Sequence, residues 1–127
     1  MKEVMCFIRS RKINATKRAL AENGFPAFTC RKCSGRGKTS VHPDVLDAVL
    51  TAGELPANSL GESLTEAKRL IAKRFMTVIV HDEDVEKAVK TIIDANQTGN
   101  SGDGKIFVIP IFEAYTISDG ETTVDAF

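Results

Sequence analysis

The sequence predicts an α+β fold, a ferredoxin-like βαββαβ arrangement with an antiparallel sheet and two helices on one face. Three observations carry that expectation. Short apolar runs rich in β-formers recur along the chain, segments between them carry helical periodicity, and the order reads β-α-β, a long insertion, then β-α-β. At 127 residues the chain suits one core, so 1–127 is read as a single domain, small enough that oligomerisation would help it.

Residues 3–9 alternate weakly and form the first expected strand. Asn14 is the expected cap of a helix over 15–23, with Thr16, Ala19, Leu20 and Asn23 on one face and Gly24 as its stop. Phe25 to Ser34 is a second extended run, and Phe75 to Val80 is a third strand, apolar enough to be central. Asp82 is the expected cap of a second helix. Glu83, Asp84 and Glu86 sit in its first turn, Val85, Val89, Ile92 and Ile93 supply its buried stripe, and Gly99 ends it. The fourth strand, 106–111, carries Pro110 near its end, which suits a sheet edge.

The stretch from Arg36 to Lys73 is too long for a passive hairpin between adjacent strands and implies a functional or partly disordered loop. Pro43 can open a short helix through Val45, Leu46, Val49 and Leu50. Ser63-Leu64-Thr65-Glu66 is a capping box that opens another through Ala67, Leu70 and Ile71. Helices this short are rarely stable unaided, so their apolar faces either fold onto the body or await a partner.

Composition excludes several classes. Seventeen basic residues balance seventeen acidic ones, which disfavours general nucleic-acid binding, although Arg9, Arg11, Lys12, Lys17 and Arg18 cluster and could meet a phosphate-bearing ligand. No apolar run is long enough to span a membrane, and Val4 to Ile8 is short and lacks a cleavage pattern, so it reads as a first strand; the cysteines named next fit a reduced, cytoplasmic chain best. Three cysteines, Cys6, Cys30 and Cys33, cannot all pair. Cys30 and Cys33 have CxxC spacing, but His42 and His81 are not spaced as a second ligand pair, so no metal site is expected.

Gly99-Asn100-Ser101-Gly102-Asp103-Gly104-Lys105, leading straight into a strand, is the most informative segment. Glycines let backbone N–H groups converge on phosphate oxygens, and a lysine adds a point charge. The spacing fits the start of a P-loop, yet Ile106 stands where a magnesium-ligating Ser or Thr belongs, and the order is helix, loop, strand. A simple glycine-rich turn is the plain alternative.

Several strings together resemble PII signal-transduction proteins from end to end: Thr29, Gly35-Arg36-Gly37-Lys38, Ala72-Lys73, Thr98-Gly99, Gly102-Asp103-Gly104-Lys105-Ile106-Phe107-Val108 and Gly120-Glu121. The resemblance implies a homologous trimer with nucleotide clefts between subunits. It also implies a protruding T-loop, about residues 36–73, that reports ATP or ADP and 2-oxoglutarate status to a target. On that basis Thr29, Gly35, Arg36, Gly37, Lys38, Ile79, Gly102, Asp103, Gly104 and Lys105 are the expected nucleotide-binding residues, with Mg2+ allowed beside ATP. Thr39 and Lys73 are the expected 2-oxoglutarate residues. His42, Leu46, Leu50, Leu60, Leu64 and Leu70 are the expected partner contacts.

The chain departs from the family pattern in four ways. The loop lacks the tyrosine that is uridylylated in enteric-type members, the only tyrosine being Tyr115; the loop is also long, with a different tip; Thr39 replaces a glutamine. Thr116 and Ser118 replace two arginines that clamp phosphates across the subunit boundary, a bidentate contact that hydroxyls cannot reproduce. These departures are similar to the nif-operon branch of the family, specifically the second of two paralogous PII-like subunits of archaea and anaerobic bacteria. The resemblance then implies a non-enzymatic nitrogen-status regulator acting with its paralogue. It would bind the dinitrogenase component when fixed nitrogen is plentiful and release it when ATP and 2-oxoglutarate are high. A general PII adaptor acting on an ammonium transporter or metabolic enzyme is the alternative. An ATP-hydrolysing enzyme lacks a paired base and magnesium ligands near either glycine turn.

Overall fold

The computed structural model describes residues 1–37 and 70–126. The expected helices opening at Pro43 and Ser63 lie outside the described residues, as do Lys38, Thr39, His42, Leu46, Leu50, Leu60 and Leu64. The chain divides into two units, Met1–Cys33 with Ala72–Phe127 and Ser34–Ile71, and the first of these is the body described below.

Four strands, β1 (Lys2–Arg9), β2 (Thr29–Gly35), β3 (Ile71–Val80) and β4 (Lys105–Pro110), form one sheet in the order β2-β3-β1-β4. β1 runs antiparallel to both β3 and β4. Helix α1 (Ile13–Glu22) follows β1 and helix α2 (Val85–Asn96) follows β3, each after a single 3-10 turn, Ser10–Lys12 and Asp82–Asp84. This is the ferredoxin-like βαββαβ order that the sequence predicts.

Register explains the core. Val4 lies opposite Val78 and Cys6 opposite Met76, so the even-numbered residues of both central strands share one face. Leu20 of α1 and Ala88 and Ile92 of α2 pack on that face, with Ile8, Val80 and Phe25 completing a buried cluster. Burial pushes the Cys6 thiol up to about 12, reinforced by the charge of Cys30. The opposite face carries Phe7, Phe75 and Phe107. The Phe7 ring centroid is 5.1 Å from that of Phe75 and 6.5 Å from that of Phe107, and the Arg31 guanidinium lies 4.7 Å from the Phe75 centroid. No helix of the body covers these rings: Phe7 is 36 % and Phe107 44 % exposed.

Helix ends differ from the sequence reading. Asn14 lies inside α1, which begins at Ile13 because the 3-10 turn has already bent the chain; its N-cap, Lys12, supplies no side-chain bond. The other end matches. Gly24 (φ +89) follows the last turn, its N–H donating to Ala21 O and that of Phe25 to Leu20 O at 2.8 Å, a Schellman closure. Asn23, expected on the buried face, is exposed as the C-cap, its side-chain amide donating to Ala19 O. Asp82 does not cap α2 either: its carboxylate accepts from the Met1 ammonium at 2.8 Å, and α2 begins three residues later. That ammonium holds the Asp82 carboxyl below its usual range. Of the expected stripe, Ile92 is buried and Val85 and Val89 pack partly buried against the core, but Ile93 is 42 % exposed, and Ala88, Thr91 and Asn96 are buried in addition. The helix ends at Asn96, ahead of Gly99. Pro110 does close an edge strand.

Candidate functional site

The loop from Thr98 to Lys105 is organised by one carboxylate. Asp103 Oδ2 accepts the backbone N–H of Thr98 at 2.8 Å and of Gly99 at 3.0 Å, while Oδ1 accepts from the Thr98 hydroxyl and from Arg9 Nη1. The Thr98 hydroxyl and N–H, then Arg9 and the Gly99 N–H, hold the Asp103 carboxyl well below the usual carboxylate range. Arg9 Nη2 also donates to Ser101 O at 2.9 Å, and Lys73 Nζ donates to Gly102 O at 3.0 Å. Two cations from adjacent strands thus converge on the carbonyls of one glycine-rich loop.

The glycines here are required by geometry. Gly102 (φ +92) sits under the two cations, its Cβ position lying 3.4 Å from Arg9 Nη2 and 3.8 Å from Lys73 Nζ. Gly104 (φ +116) crosses β1 so closely that a Cβ would stand 1.9 Å from Phe7 O. The loop is therefore a built cradle, held from inside and rimmed by Lys73.

The expected site residues fall in two groups within the body. Lys73, Gly102, Asp103, Gly104 and Lys105 come together at the end of the sheet where β1 finishes. Thr29 and Ile79 meet at the other end, in a hollow of about 410 Å³ shared with Glu3, Phe28 and Thr77, where the Thr77 hydroxyl donates to Glu3 Oε1 at 2.9 Å. Lys73 and Ile79 are six residue steps apart along β3, roughly 20 Å. Gly35 closes β2, and neither it nor Gly37 has positive φ; with Arg36 they belong to the Ser34–Ile71 unit. Leu70 precedes β3 and is 60 % exposed. Thr116 and Ser118 are exposed in a tight C-terminal turn closed by Gly120 N–H to Thr116 O.

Sequence reasoning assigned Arg9 only to a basic cluster and gave Thr98 no separate role. The signal for Arg9 is its pairing with Lys73, visible only once the strand register is known. A second cleft of about 410 Å³ between α2 and the start of β4 has an apolar floor of Ile8, Ile92 and Ile106, and Asn96 on its wall. Among the described residues no cluster of three or more His, Cys, Asp or Glu could hold a metal ion, and no helix is long and apolar enough to cross a membrane. Cys30 and Cys33 are both half-buried on β2, and all three cysteines are free thiols.

The model of the family described as nitrogen regulatory protein P-II matches residues 1–121. The chain belongs to the PII family. "Nitrogen fixation nifHD region GlnB-like protein 2" of Methanothermococcus thermolithotrophicus is 38 % identical over 127 residues, covering 96 % of this chain and 94 % of the relative. The "GlnB-like protein 1" of the same nifHD region and organism is 35 % identical, covering 98 % of this chain and all of the relative. A solved structure of Arabidopsis thaliana PII bound to citrate superposes with a TM-score of 0.68 at 24 % identity, covering 98 % of this chain and 87 % of that one, and shares the fold. This PII chain is accordingly a nitrogen regulator with nif-region relatives, and the family's members are signal-transduction regulators.

Proposed function

We propose that this PII protein is the second subunit of a nif-region regulator, one that reads ATP or ADP together with 2-oxoglutarate and inhibits nitrogenase by binding its dinitrogenase component when fixed nitrogen is sufficient. One geometric observation carries the sensing half of that reading. The candidate nucleotide residues lie at opposite ends of the sheet, Thr29 and Ile79 at one end and Gly102–Lys105 at the other. Roughly 20 Å along a strand is too far for one phosphate chain and base to use both groups in a single chain. Copies packed through Phe7, Phe75 and Phe107 would instead set the Thr29 end of one chain against the glycine cradle of the next. A trimer built this way has clefts that are complete only in the assembly. The names of the nif-region relatives support the target half of the reading.

In this mechanism the cradle supplies converging N–H groups and Lys73 and Lys105 supply positive charge, while residues 36–73 act as the loop that reports occupancy. Lys38 and Thr39 would join from the loop base, and His42, Leu46, Leu50, Leu60, Leu64 and Leu70 would meet the partner. Effectors move the loop between two populations by their differential affinity for them. The chain works in the cytoplasm with its paralogue, and binds no nucleic acid. The test is nitrogenase activity reconstituted with the purified regulator pair. Activity should fall on adding the pair with ADP and recover with ATP plus 2-oxoglutarate. Undiminished activity at a molar excess of the pair would refute the target, and calorimetry showing no heat with either nucleotide would refute the sensing half.

A further inference from the structure

The cleft between α2 and the start of β4 holds an acceptor that nothing in the fold uses. Its floor residues Ile8 and Ile106 share the helix side of the sheet with Cys6, the face away from Phe7 and Phe107. Asn96, only 5 % exposed, lines the wall, and its Oδ1 has no hydrogen-bond partner among the described residues. The partners of Nδ2 fix which way the amide points. Ile92 O can only accept, and the Thr16 hydroxyl spends its proton on Lys12 O, so both positions require the NH2 group of Asn96. With Nδ2 directed at α1 and at its own helix, Oδ1 is turned away from α1. Water is a poor partner for it, because a buried water needs several polar contacts and the isoleucine floor offers none.

We infer that this cleft is a ligand site in its own right, one that takes a compact apolar molecule carrying a single hydroxyl or N–H donor. The donor meets Asn96 Oδ1, and the apolar body lies on Ile8, Ile92 and Ile106. A volume of about 410 Å³ falls within the span of small-molecule sites, roughly 300–1,000 Å³. The charges at the rim define the class further. Asp103 brings a carboxylate, whereas Lys105, at the pleat position opposite Phe7 and two residues before Phe107, sends its ammonium to the other face. An acceptor inside and a carboxylate at the rim disfavour an anion, so this ligand differs in kind from the phosphates and dicarboxylates proposed for the glycine cradle. Oδ1 is itself closed off from solvent, and the exposed Ile93 and Gln97 at the mouth have the freedom to turn aside for the donor. The inference goes beyond the sensing role proposed above and does not depend on it.

Phenol, benzene and benzoate share one ring and differ in the group that decides the matter, so they are the probes. Methyl NMR of the full chain reads binding at Ile8, Ile92, Ile93 and Ile106. Phenol should shift these methyls saturably, benzene should bind about tenfold more weakly for want of one hydrogen bond, and benzoate should leave them unmoved. Asn96→Leu combined with Thr16→Val removes the acceptor together with its inter-helix partner and should erase the preference for phenol over benzene. Ile93→Trp, a change at an exposed position, should plug the mouth and abolish binding of both, and thermal melting confirms that each variant is folded. Should the double variant fail to fold, the three probes on the wild type and on Ile93→Trp still decide. No saturable shift of the wild type with phenol would overturn the inference, as would benzene matching phenol or benzoate binding as well as phenol. Methyls that move with protein concentration but not with phenol would overturn it too, because a neighbouring copy then fills the cleft.

Discussion

Asp103 shows how one side chain can replace several backbone bonds. The turn between α2 and β4 leaves the N–H groups of Thr98 and Gly99 without a helical acceptor, and a single carboxylate takes both, together with a hydroxyl and a guanidinium. Because its folded-state pKa is depressed, the stability it contributes is fully present above the ordinary carboxylate value of about 4 and is lost only as pH falls through the lower folded value. The Thr98 and Gly99 amide resonances should therefore hold their positions on acidification through the ordinary carboxylate range and move only in stronger acid. An NMR titration checks this, and movement near the ordinary value would mean that the clamp is not formed in solution. Gly104 belongs to the same scale. A methyl group there meets Phe7 O at 1.9 Å and also forces positive φ on an L-residue. Gly104→Ala should lower unfolding free energy by roughly 2–4 kcal/mol in denaturant melts, whereas Gly24→Ala, with open space around its Cβ, should cost only about 1–2 kcal/mol of backbone strain.

Between elements, the two helices are joined by a polar contact inside an otherwise apolar layer. Asn96 of α2 donates through Nδ2 to Thr16 Oγ1 at 2.9 Å and to Ile92 O at 2.8 Å, and the Thr16 hydroxyl donates to Lys12 O at 2.8 Å. Thr16 is fully buried and Asn96 only 5 % exposed, so deleting the hydroxyl strands an amide proton away from water. Thr16→Ala should destabilise the fold by about 1–3 kcal/mol, and the Asn96→Leu, Thr16→Val pair should recover part of that loss because both partners become apolar together. Chemical denaturation of the three proteins measures it. The sequence placed Thr16 on the buried face of its helix by spacing, and it placed the strands within one to four residues, because periodicity directly records burial. Helix starts were harder to read. Asn14 and Asp82 look like caps, but a 3-10 turn precedes each helix, so that the first begins before Asn14 and the second three residues after Asp82, which is drawn to the chain's own ammonium. Arg9 was the least legible, since its partner lies 94 residues away and their meeting depends on strand register and on the return of a loop.

At the scale of the whole molecule, the sheet face bearing Phe7, Phe75 and Phe107 and the C-terminal turn bearing Thr116 and Ser118 address the same question of what a neighbouring copy supplies. Phe112 is 92 % and Ile117 99 % exposed, apolar surface that a body standing alone leaves in water. If clefts form between copies, a cleft made only from this chain has hydroxyls at Thr116 and Ser118, which cannot grip phosphate as two guanidinium forks do. A paralogue retaining arginines at those positions could supply them to a cleft whose glycine cradle comes from this chain. Linkage then fixes the sign: a ligand favours the assembly that binds it more tightly, so ATP should shift the population from homo-oligomers toward mixed ones. Native mass spectrometry of the chain with a PII-like subunit that carries those arginines, with and without ATP and 2-oxoglutarate, reads that population directly. Mixed species should grow with ATP, and Thr116→Arg with Ser118→Arg in this chain should abolish the gain by making the homo-oligomer competent. Tight ATP binding by the unmixed wild type, with no change on mixing, would show that the cradle and Lys73 suffice and that the hydroxyls at 116 and 118 face no phosphate.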